Sequence, residues 1–399
     1  MSLHVLLAEY QDIKYASRTL KELRTLLNNG FSVNLVLFDS DSDKDYKKCD
    51  NNVVYNVYSF SNYRNNNNWI SNIIRKIKCI VVLIKMWFKI VLTPADIYHV
   101  HDIKLLIPGI IAKSVWNKKI VYDSHEIHSV IHGMGSFSNR VKNRINYGLE
   151  KIILPHIDIV IHASEERADY VSQLYRINRP LVLNNYVYLS PIDSNYPDLK
   201  KILGLDKSKK LLVYIGIIRL GGNRRIDAII NILPQLNYDC HFVAIGPTTD
   251  RDVKSIESVA RTYGVKDRVH ILPGVATGDV SSAICSADLS VIPLYANSLN
   301  SKFSALNKLS ESCMAGLPIA CSDYDNLKRI VEDNPIGPAG KTFDVTSLDS
   351  IVRAVNDCLS SENNSLYRKN SRKLAMTYLN WQNEEIKLMN AYKTITSGK

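Results

Sequence analysis

At 399 residues the chain is longer than the roughly 250 to 300 residues that one hydrophobic core sustains, which excludes a single small domain and predicts two. A hydrophobic content of 46% with 22% charged residues excludes a disordered polymer, and a formal charge of +11 with a pI near 9.1 calls for an anionic partner: nucleic acid, an acidic membrane surface or a phosphorylated substrate. The seven cysteines are scattered, without a CxxC pair or clustered histidines, which excludes a disulfide framework or a zinc site and fits a reducing cytosol.

The opening run MSLHVLLAEY has no basic region, long apolar core and small-residue cleavage site in succession, so it predicts a first buried strand rather than a secretion signal. Short β-branched runs then alternate with helical stretches: HVLLAEY, SVNLVLFD, DIYHVHD, KIVYDSHE, DIVIHAS and PLVLNN. That rhythm is a parallel, doubly wound sheet, expected over 1–189. Within it, Trp69 to Leu92 carries Arg75, Lys76, Lys78, Lys85 and Lys89 among apolar residues, with Trp69 and Trp87 as aromatic anchors. Charge interrupts this stretch too often for a bilayer span. Two readings stay open: a basic amphipathic helix lying among anionic headgroups, or a half-buried domain helix whose lysines reach water. No nucleic-acid-binding module accompanies the charge, so nucleic acid is not expected as a partner. Two further strands end in histidine and acid, Asp96 to Asp102 and Val121 to Glu126. They place His101, Asp102, His125 and Glu126 where ligands meet a parallel sheet, with plain strand capping as the alternative. His99 reads as support for the sheet.

Polar, proline-bearing Ser190 to Leu199 reads as a linker, and the rhythm resumes over 190–373 with KLLVYIG, CHFVAIG, RVHILPG, DLSVIPL and LPIACSD. The first of these ends at Gly216 and opens a loop holding Arg219, Arg224 and Arg225, either a fork-shaped clamp for a diphosphate or a solvated basic loop. Gly246, Gly274 and Val275 end the next strands, as ligand-facing backbone or as ordinary turns. The stretch Ala287 to Asp323 then packs strand, loop, helix start and second strand into a nucleotide-diphosphate pocket. Free N–H groups at the helix start attract phosphate, Lys308 adds positive charge, and Glu311 can accept hydrogen bonds from two sugar hydroxyls. Gly316 and Pro318 stop the helix and restart a buried strand. The remainder, 374–399 with Trp381, reads as terminal helices.

The run Leu306, Asn307, Lys308, Leu309 and Glu311, followed by Ala315, Gly316 and Pro318, resembles the nucleotide-sugar pocket of GT-B fold glycosyltransferases, specifically family 4, whose two Rossmann-like domains face across a cleft. The HxHD and YDSHE strands resemble signatures in one branch of those enzymes. The resemblance implies a retaining transfer from a nucleotide sugar without metal or other cofactor. It places His125 beside the reacting sugar and Ser304 and Leu306 to Glu311, with Gly216, Arg219, Arg224, Arg225, Gly246, Gly274 and Val275, around the donor. The terminal helices then cross back to the first domain, and Glu9, Tyr10, His101, Asp102 and Glu126 line the acceptor side or simply turn the chain. Arg18 resembles an arginine common on the family's first helix, though a surface ion pair explains it equally. One departure stands out: the family's first glutamate, eight residues before Glu311, is Phe303 here. With the basic helix, the resemblance implies a lipid-linked glycan acceptor in bacterial surface-polysaccharide assembly (capsule, O-antigen or exopolysaccharide), by a cytoplasmic protein peripheral to the inner face of the membrane. The rival is a non-catalytic relative that binds a nucleotide sugar or an assembly partner.

Overall fold

A computed structural model describes residues 2–42, 44–59, 69–130, 136–193, 195–304 and 307–397, with the side chains of 69–72 left aside. The chain divides into two compact units, Met1–Asn184 with Glu385–Lys399, and Asn185–Glu384, against the divisions at 189/190 and 373/374 read from the sequence.

Among the described residues the first unit holds eight strands: β1 (His4–Asp12), β2 (Ser32–Asp39), β3 (Tyr46–Asp50), β4 (Val53–Ser59), β5 (Ile97–His101), β6 (Lys119–Ser124), β7 (Ile159–His162) and β8 (Leu181–Val182). They lie in the order β3-β4-β2-β1-β5-β6-β7-β8, all parallel except the β3/β4 hairpin. The six strands expected from sequence are all present. Strands β3 and β4 are additional: YKKCD is exposed along its whole length and carries no apolar alternation, whereas VVYNVYS is a half-buried β-branched run not expected as a strand. Val5, Leu6, Leu7 and Ala8 are all buried, as a central parallel strand covered by helices on both faces requires.

The second unit holds β9 (Lys210–Ile215), β10 (Cys240–Ile245), β11 (Val269–Leu272), β12 (Leu289–Ile292), β13 (Ile319–Ser322) and β14 (Gly340–Phe343) in the order β11-β10-β9-β12-β13-β14, parallel throughout. This is the strand order 3-2-1-4-5-6 of a doubly wound dinucleotide-type sheet. Strand β14 was not expected: four residues, two of them Gly and Lys, give no run to recognise. Apolar helices cover both faces, Ile226, Ile229, Ile230 and Ile232 on one, Val280, Ala283 and Ile284 on the other.

In each unit the strand order reverses once, between β1 and β5 and between β9 and β12. The connections leave opposite ways there, so a crevice opens at the carboxyl ends of those strands. Helix Trp381–Thr396 closes the chain. From Glu385 onward it belongs to the first unit, where the Tyr392 hydroxyl lies 2.8 Å from His99 Nδ1.

Candidate functional site

In the second unit the crevice beside β9 is built from backbone. Gly216 (φ +117°) and Gly246 (φ +154°) stack so closely that a Cβ on Gly246 would stand 2.1 Å from the Gly216 carbonyl oxygen. No side chain fits there, and Gly274 extends the same row: a Cβ on it would lie 3.5 Å from Gly246 Cα. The loop after Gly216 is pinned to its neighbours. Ile218 N donates to Pro247 O at 2.9 Å, Arg225 N to Pro293 O at 2.9 Å, and Tyr295 N to Asn223 O at 3.0 Å.

Onto this floor comes helix Asn307–Met314, whose Leu309, Cys313 and Met314 face the core while Gly316 (φ +68°) ends it in the left-handed region. Its Lys308 lies over Gly216 so tightly that a Cβ there would meet the lysine Cε at 2.7 Å. The ammonium sits 4.0 Å from the centre of the Tyr214 ring and donates to the Tyr214 hydroxyl at 2.7 Å. Burial pulls the Lys308 amine down to about 7, with the Arg224 charge adding and Glu311 opposing. Glu311 is buried one turn along the same helix. The structure thus brings together Gly216, Gly246, Gly274, Arg224, Lys308 and Glu311, whereas Leu309 packs into the core.

Other expected residues take other places. Arg225 turns to Asp227 at 3.0 Å and starts helix Ile226–Ile232. Arg219 lies near Gly222, whose added Cβ would be 3.6 Å from its guanidinium. Phe303 ends helix Leu299–Lys302, the Ser304 carbonyl accepts from Asn326 Nδ2 at 3.0 Å, Val275 packs on a core cluster, and Leu306 lies outside the described residues. Tyr214 was missed, because an aromatic inside a strand reads as core until the crevice beside it is known.

In the first unit, residues from β1, β5, β6 and the first helix (Ser17–Asn28) converge at the other crevice. Arg18 is buried, its Nε and Nη2 each 2.7 Å from Asp123 Oδ2 and its Nε 3.4 Å from Glu22 Oε1, so it is no surface pair. Removing one partner of such a buried pair costs about 3–5 kcal/mol, since the other charge is left without water. His99 and His101 stack in parallel on β5 with Nε2 atoms 3.7 and 3.0 Å from Glu22 Oε2. His101 Nδ1 lies 2.9 Å from His125 Nε2, and His125 Nδ1 lies 3.6 Å from Glu9 Oε1. The His125 side chain is 25% exposed whereas those of His101, Glu22 and Asp123 are 0%, so His125 is the member that reaches solvent. Burial pulls both His101 and His125 down to about 4, so both rings are neutral at pH 7.

Asp102 begins helix Asp102–Trp116 with a left-handed backbone (φ +59°) and faces His128 Nε2 at 3.4 Å. Its carboxyl lies below the usual range, burial being outweighed by the His128 bond and the surrounding histidines. The Glu126 carbonyl accepts from Ser124 Oγ at 2.8 Å. Tyr10 does not join the cluster: successive strand residues face opposite sides, and its hydroxyl donates to Cys79 O at 3.0 Å. Glu22, Asp123 and Thr19 were missed, since a helix glutamate and a strand aspartate carry no motif until topology joins them.

Among the described residues two sets, Glu22-His99-His101-Asp123 and Glu9-His101-His125, have ligand atoms close enough to hold a metal ion. In the first, Arg18 already supplies the positive charge. In the second, 2.9 Å between ring nitrogens is the length of a hydrogen bond filled by one proton.

Residues 195–374 match the family model of glycosyl transferases group 1, so the second unit carries a domain of that kind. A curated relative, the D-inositol 3-phosphate glycosyltransferase of Xylanimonas cellulosilytica, is 22% identical over 253 residues; the match covers 61% of this chain and 59% of that protein's length. Sucrose-phosphate synthase from Thermosynechococcus elongatus superposes with a TM-score of 0.75 at 14% identity over the whole of both chains. HepE from Anabaena, solved with UDP and glucose, does so with a TM-score of 0.71 at 15% identity over 98% of this chain and all of that one. The fold is GT-B, as the Lys308 motif implied.

Glu9 offers a test of the buried cluster. Burial pushes its carboxyl from near 4.5 up to about 8, against the Thr19 hydrogen bond and with help from Asp102, Glu22 and Asp123. The folded state therefore holds a proton there that the unfolded chain has released, and the stability this contributes is lost as pH rises toward 8. Thermal unfolding of wild type and Glu9→Gln between pH 5.5 and 8.5 should show the variant gaining on wild type as pH rises; parallel curves would place Glu9 in an ordinary solvated state.

Proposed function

We propose that this chain is a glycosyltransferase of the family 4 type that moves a sugar from a nucleotide-sugar donor, with retention and without a metal, to a lipid-linked glycan. The setting proposed is assembly of a bacterial surface polysaccharide such as capsule, O-antigen or exopolysaccharide. The observation that carries this reading is Lys308 held against Gly216 with Arg224 beside it, at the strand-order reversal of a glycosyl transferases group 1 domain. As the bond to the sugar breaks, negative charge grows on the departing diphosphate. A lysine half-neutral near pH 7 becomes fully charged beside that anion, so its attraction is greatest when the charge is greatest. Glu311 takes the ribose hydroxyls, and Gly246, Gly274 and Val275 offer backbone to the nucleoside. His125 meets the reacting sugar. HepE has been solved with UDP-glucose, which supports a donor of this class. Phe303 motivates the second reading, a nucleotide-sugar binder without transfer, because it removes the carboxylate expected near the sugar.

The first unit's surface supports the acceptor and the place of action in this reading. Helix Trp69–Leu92 buries Val82, Met86 and Ile90 and leaves Ile73, Ile77, Ile80, Ile84, Phe88 and Leu92 exposed on its other side, Phe88 by 63% and Leu92 by 69%. It contains no acidic residue, and Arg75, Lys76 and Lys85 are exposed on it, although Lys85 also pairs with Asp45 at 2.6 Å. The half-buried Trp87 ring is held in place by its Nε1, which donates to Lys104 O at 2.8 Å. Helix Phe137–Ile153 adds exposed Phe137, Val141, Ile145 and Ile152 with Arg140, Lys142, Arg144 and Lys151. Among the described residues no helix is long and apolar enough to cross a membrane. Apolar stripes flanked by cations suit a headgroup boundary of anionic lipid, where each buried methylene contributes about 0.8 kcal/mol and each nearby cation about 1.

Two experiments test these readings. Thermal-shift screening against UDP-, GDP-, ADP-, CMP- and dTDP-sugars in EDTA should raise Tm with one nucleotide, and Glu311→Ala should abolish that rise; no shift with any donor would remove the donor site. In flotation assays the protein should rise with phosphatidylglycerol vesicles and not with phosphatidylcholine, and Ile77→Glu with Phe88→Glu should leave it at the bottom. Equal absence from both vesicle types would remove the membrane surface.

A further inference from the structure

We propose that a cavity at the amino ends of β7 and β8 holds one anionic phospholipid, its phosphate on Arg176 and an acyl chain on the apolar floor. Entry from a bilayer rests on the reading of helix Phe137–Ile153 as membrane-facing. The cavity itself is a feature of the first unit's sheet and lies at the opposite end of the strands from the crevice.

The cavity measures about 670 Å3, within the roughly 300 to 1,000 Å3 of small-molecule sites. It exists because β7 is covered at one end only. Its Ile161 and His162 pair with Leu181 and Val182 of β8 and are buried, but β8 is two residues long and leaves Ile159 and Val160 with no strand beyond them. Successive strand residues face opposite sides of a sheet, yet both of these are half-exposed, while Val121 and Tyr122, their partners on β6, are fully buried. Leu154, Ile157, Ile177 and Leu181 complete the apolar floor.

Four polar side chains line the cavity, and two are already engaged. Asp158 takes Lys113 at 2.8 Å, Lys119 at 3.1 Å and the Ile120 N–H at 2.9 Å, and Arg179 is held by Glu165 and Asp169. That leaves Arg176 and Asn178, whose side chains make no hydrogen bond or ion pair among the described residues. Arg176 also stands in a left-handed conformation (φ +56°, ψ +46°) after helix Glu165–Tyr175, a position that glycine fills without strain. A long cation kept there against that preference, at the exposed rim of an apolar hollow, fits a ligand with one negative charge and an apolar body.

The lining disfavours a nucleotide or a sugar: it has no aromatic ring to stack on and too few unengaged polar groups for a set of hydroxyls. Position supplies the source. Ile152, 72% exposed at the end of the apolar stripe of helix Phe137–Ile153, lies two residues before Leu154, and exposed Lys151 beside it adds a second cation. The stripe read as lying among headgroups therefore leads to the rim of the cavity.

The test is titration calorimetry of the full chain with monomeric dihexanoylphosphatidylglycerol, compared with dihexanoylphosphatidylcholine and glycerol 1-phosphate. It is run on wild type and on the Ile77→Glu, Phe88→Glu protein, so that binding to the other apolar helix is removed. Expected is one saturable site for phosphatidylglycerol in both proteins, an affinity on the order of tenfold lower for phosphatidylcholine, and no binding of glycerol 1-phosphate. Ile177→Trp, which fills the hollow, should abolish binding. Arg176→Gly, which suits the left-handed backbone, should keep or raise Tm while weakening phosphatidylglycerol binding on the order of tenfold. Equal affinity for the two lipids, unchanged binding in Arg176→Gly, glycerol 1-phosphate bound as tightly as the lipid, or a dimer in sedimentation that Ile177→Trp dissociates would each overturn the proposal. Flotation keeps the two readings apart. A chain that floats with phosphatidylglycerol vesicles but has no site for the soluble lipid refutes the cavity alone, and one that binds the soluble lipid without floating refutes the membrane-facing helices alone.

Discussion

Both units are built on parallel strands, the first with one antiparallel edge hairpin, whose order reverses once, and at a reversal the connecting loops run apart and leave the carboxyl ends of two strands uncovered. Main-chain groups of β9 and β12 in one unit, and of β1 and β5 in the other, are open there to whatever the neighbouring helices bring. What the second unit brings is a lysine. The glycine pair at 216 and 246 keeps side chains out, so the floor is bare backbone and the Lys308 stem can lie flat upon it. A side chain at 216 would displace the ammonium from its place over Tyr214, and one at 246 would collide with the main chain of Gly216.

Burying charge is costly, and the two crevices meet the cost differently. In the first unit Arg18 goes fully inside, and the carboxylates of Asp123 and Glu22 close around it. The three histidines nearby stay neutral because burial disfavours their charged forms, so they take part as hydrogen-bonding groups. In the second unit Lys308 has an aromatic face and a hydroxyl as partners instead of a close carboxylate. A ring–cation contact gives about 0.5–2 kcal/mol, far less than full hydration, so the amine sits close to neutrality with its charge still available to an anion. One arrangement fixes a geometry permanently, and the other holds a charge in readiness.

Much of this was legible in the residues. Every strand that carries a crevice residue appeared as a β-branched run, and the turn at Gly316 followed from glycine's tolerance of the left-handed region. The Lys308 helix was recognisable because its order of strand, loop, lysine, glutamate and glycine is dictated by local geometry. Residues whose role depends on distant partners were not legible. Glu22 stands 77 to 101 positions before His99 and Asp123, and nothing in RTLKEL marks it as buried. Tyr214 looks like any core aromatic. Arg225 read as a possible partner to the better-placed Arg224, and its pairing with Asp227 two residues on was not foreseen. The hydrogen bond of the Trp87 indole to a carbonyl on the next helix was likewise not readable from an amphipathic pattern.

The most direct measurement is sugar transfer itself. Purified full chain, a labelled sugar nucleotide and a bacterial lipid extract in EDTA would be followed for release of nucleoside diphosphate together with entry of label into the lipid phase, wild type against Lys308→Met. The predicted result is coupled release and transfer by wild type and a loss on the order of 100-fold in the variant. Binding of the donor with neither release nor transfer in any extract, or undiminished transfer by Lys308→Met, would contradict it.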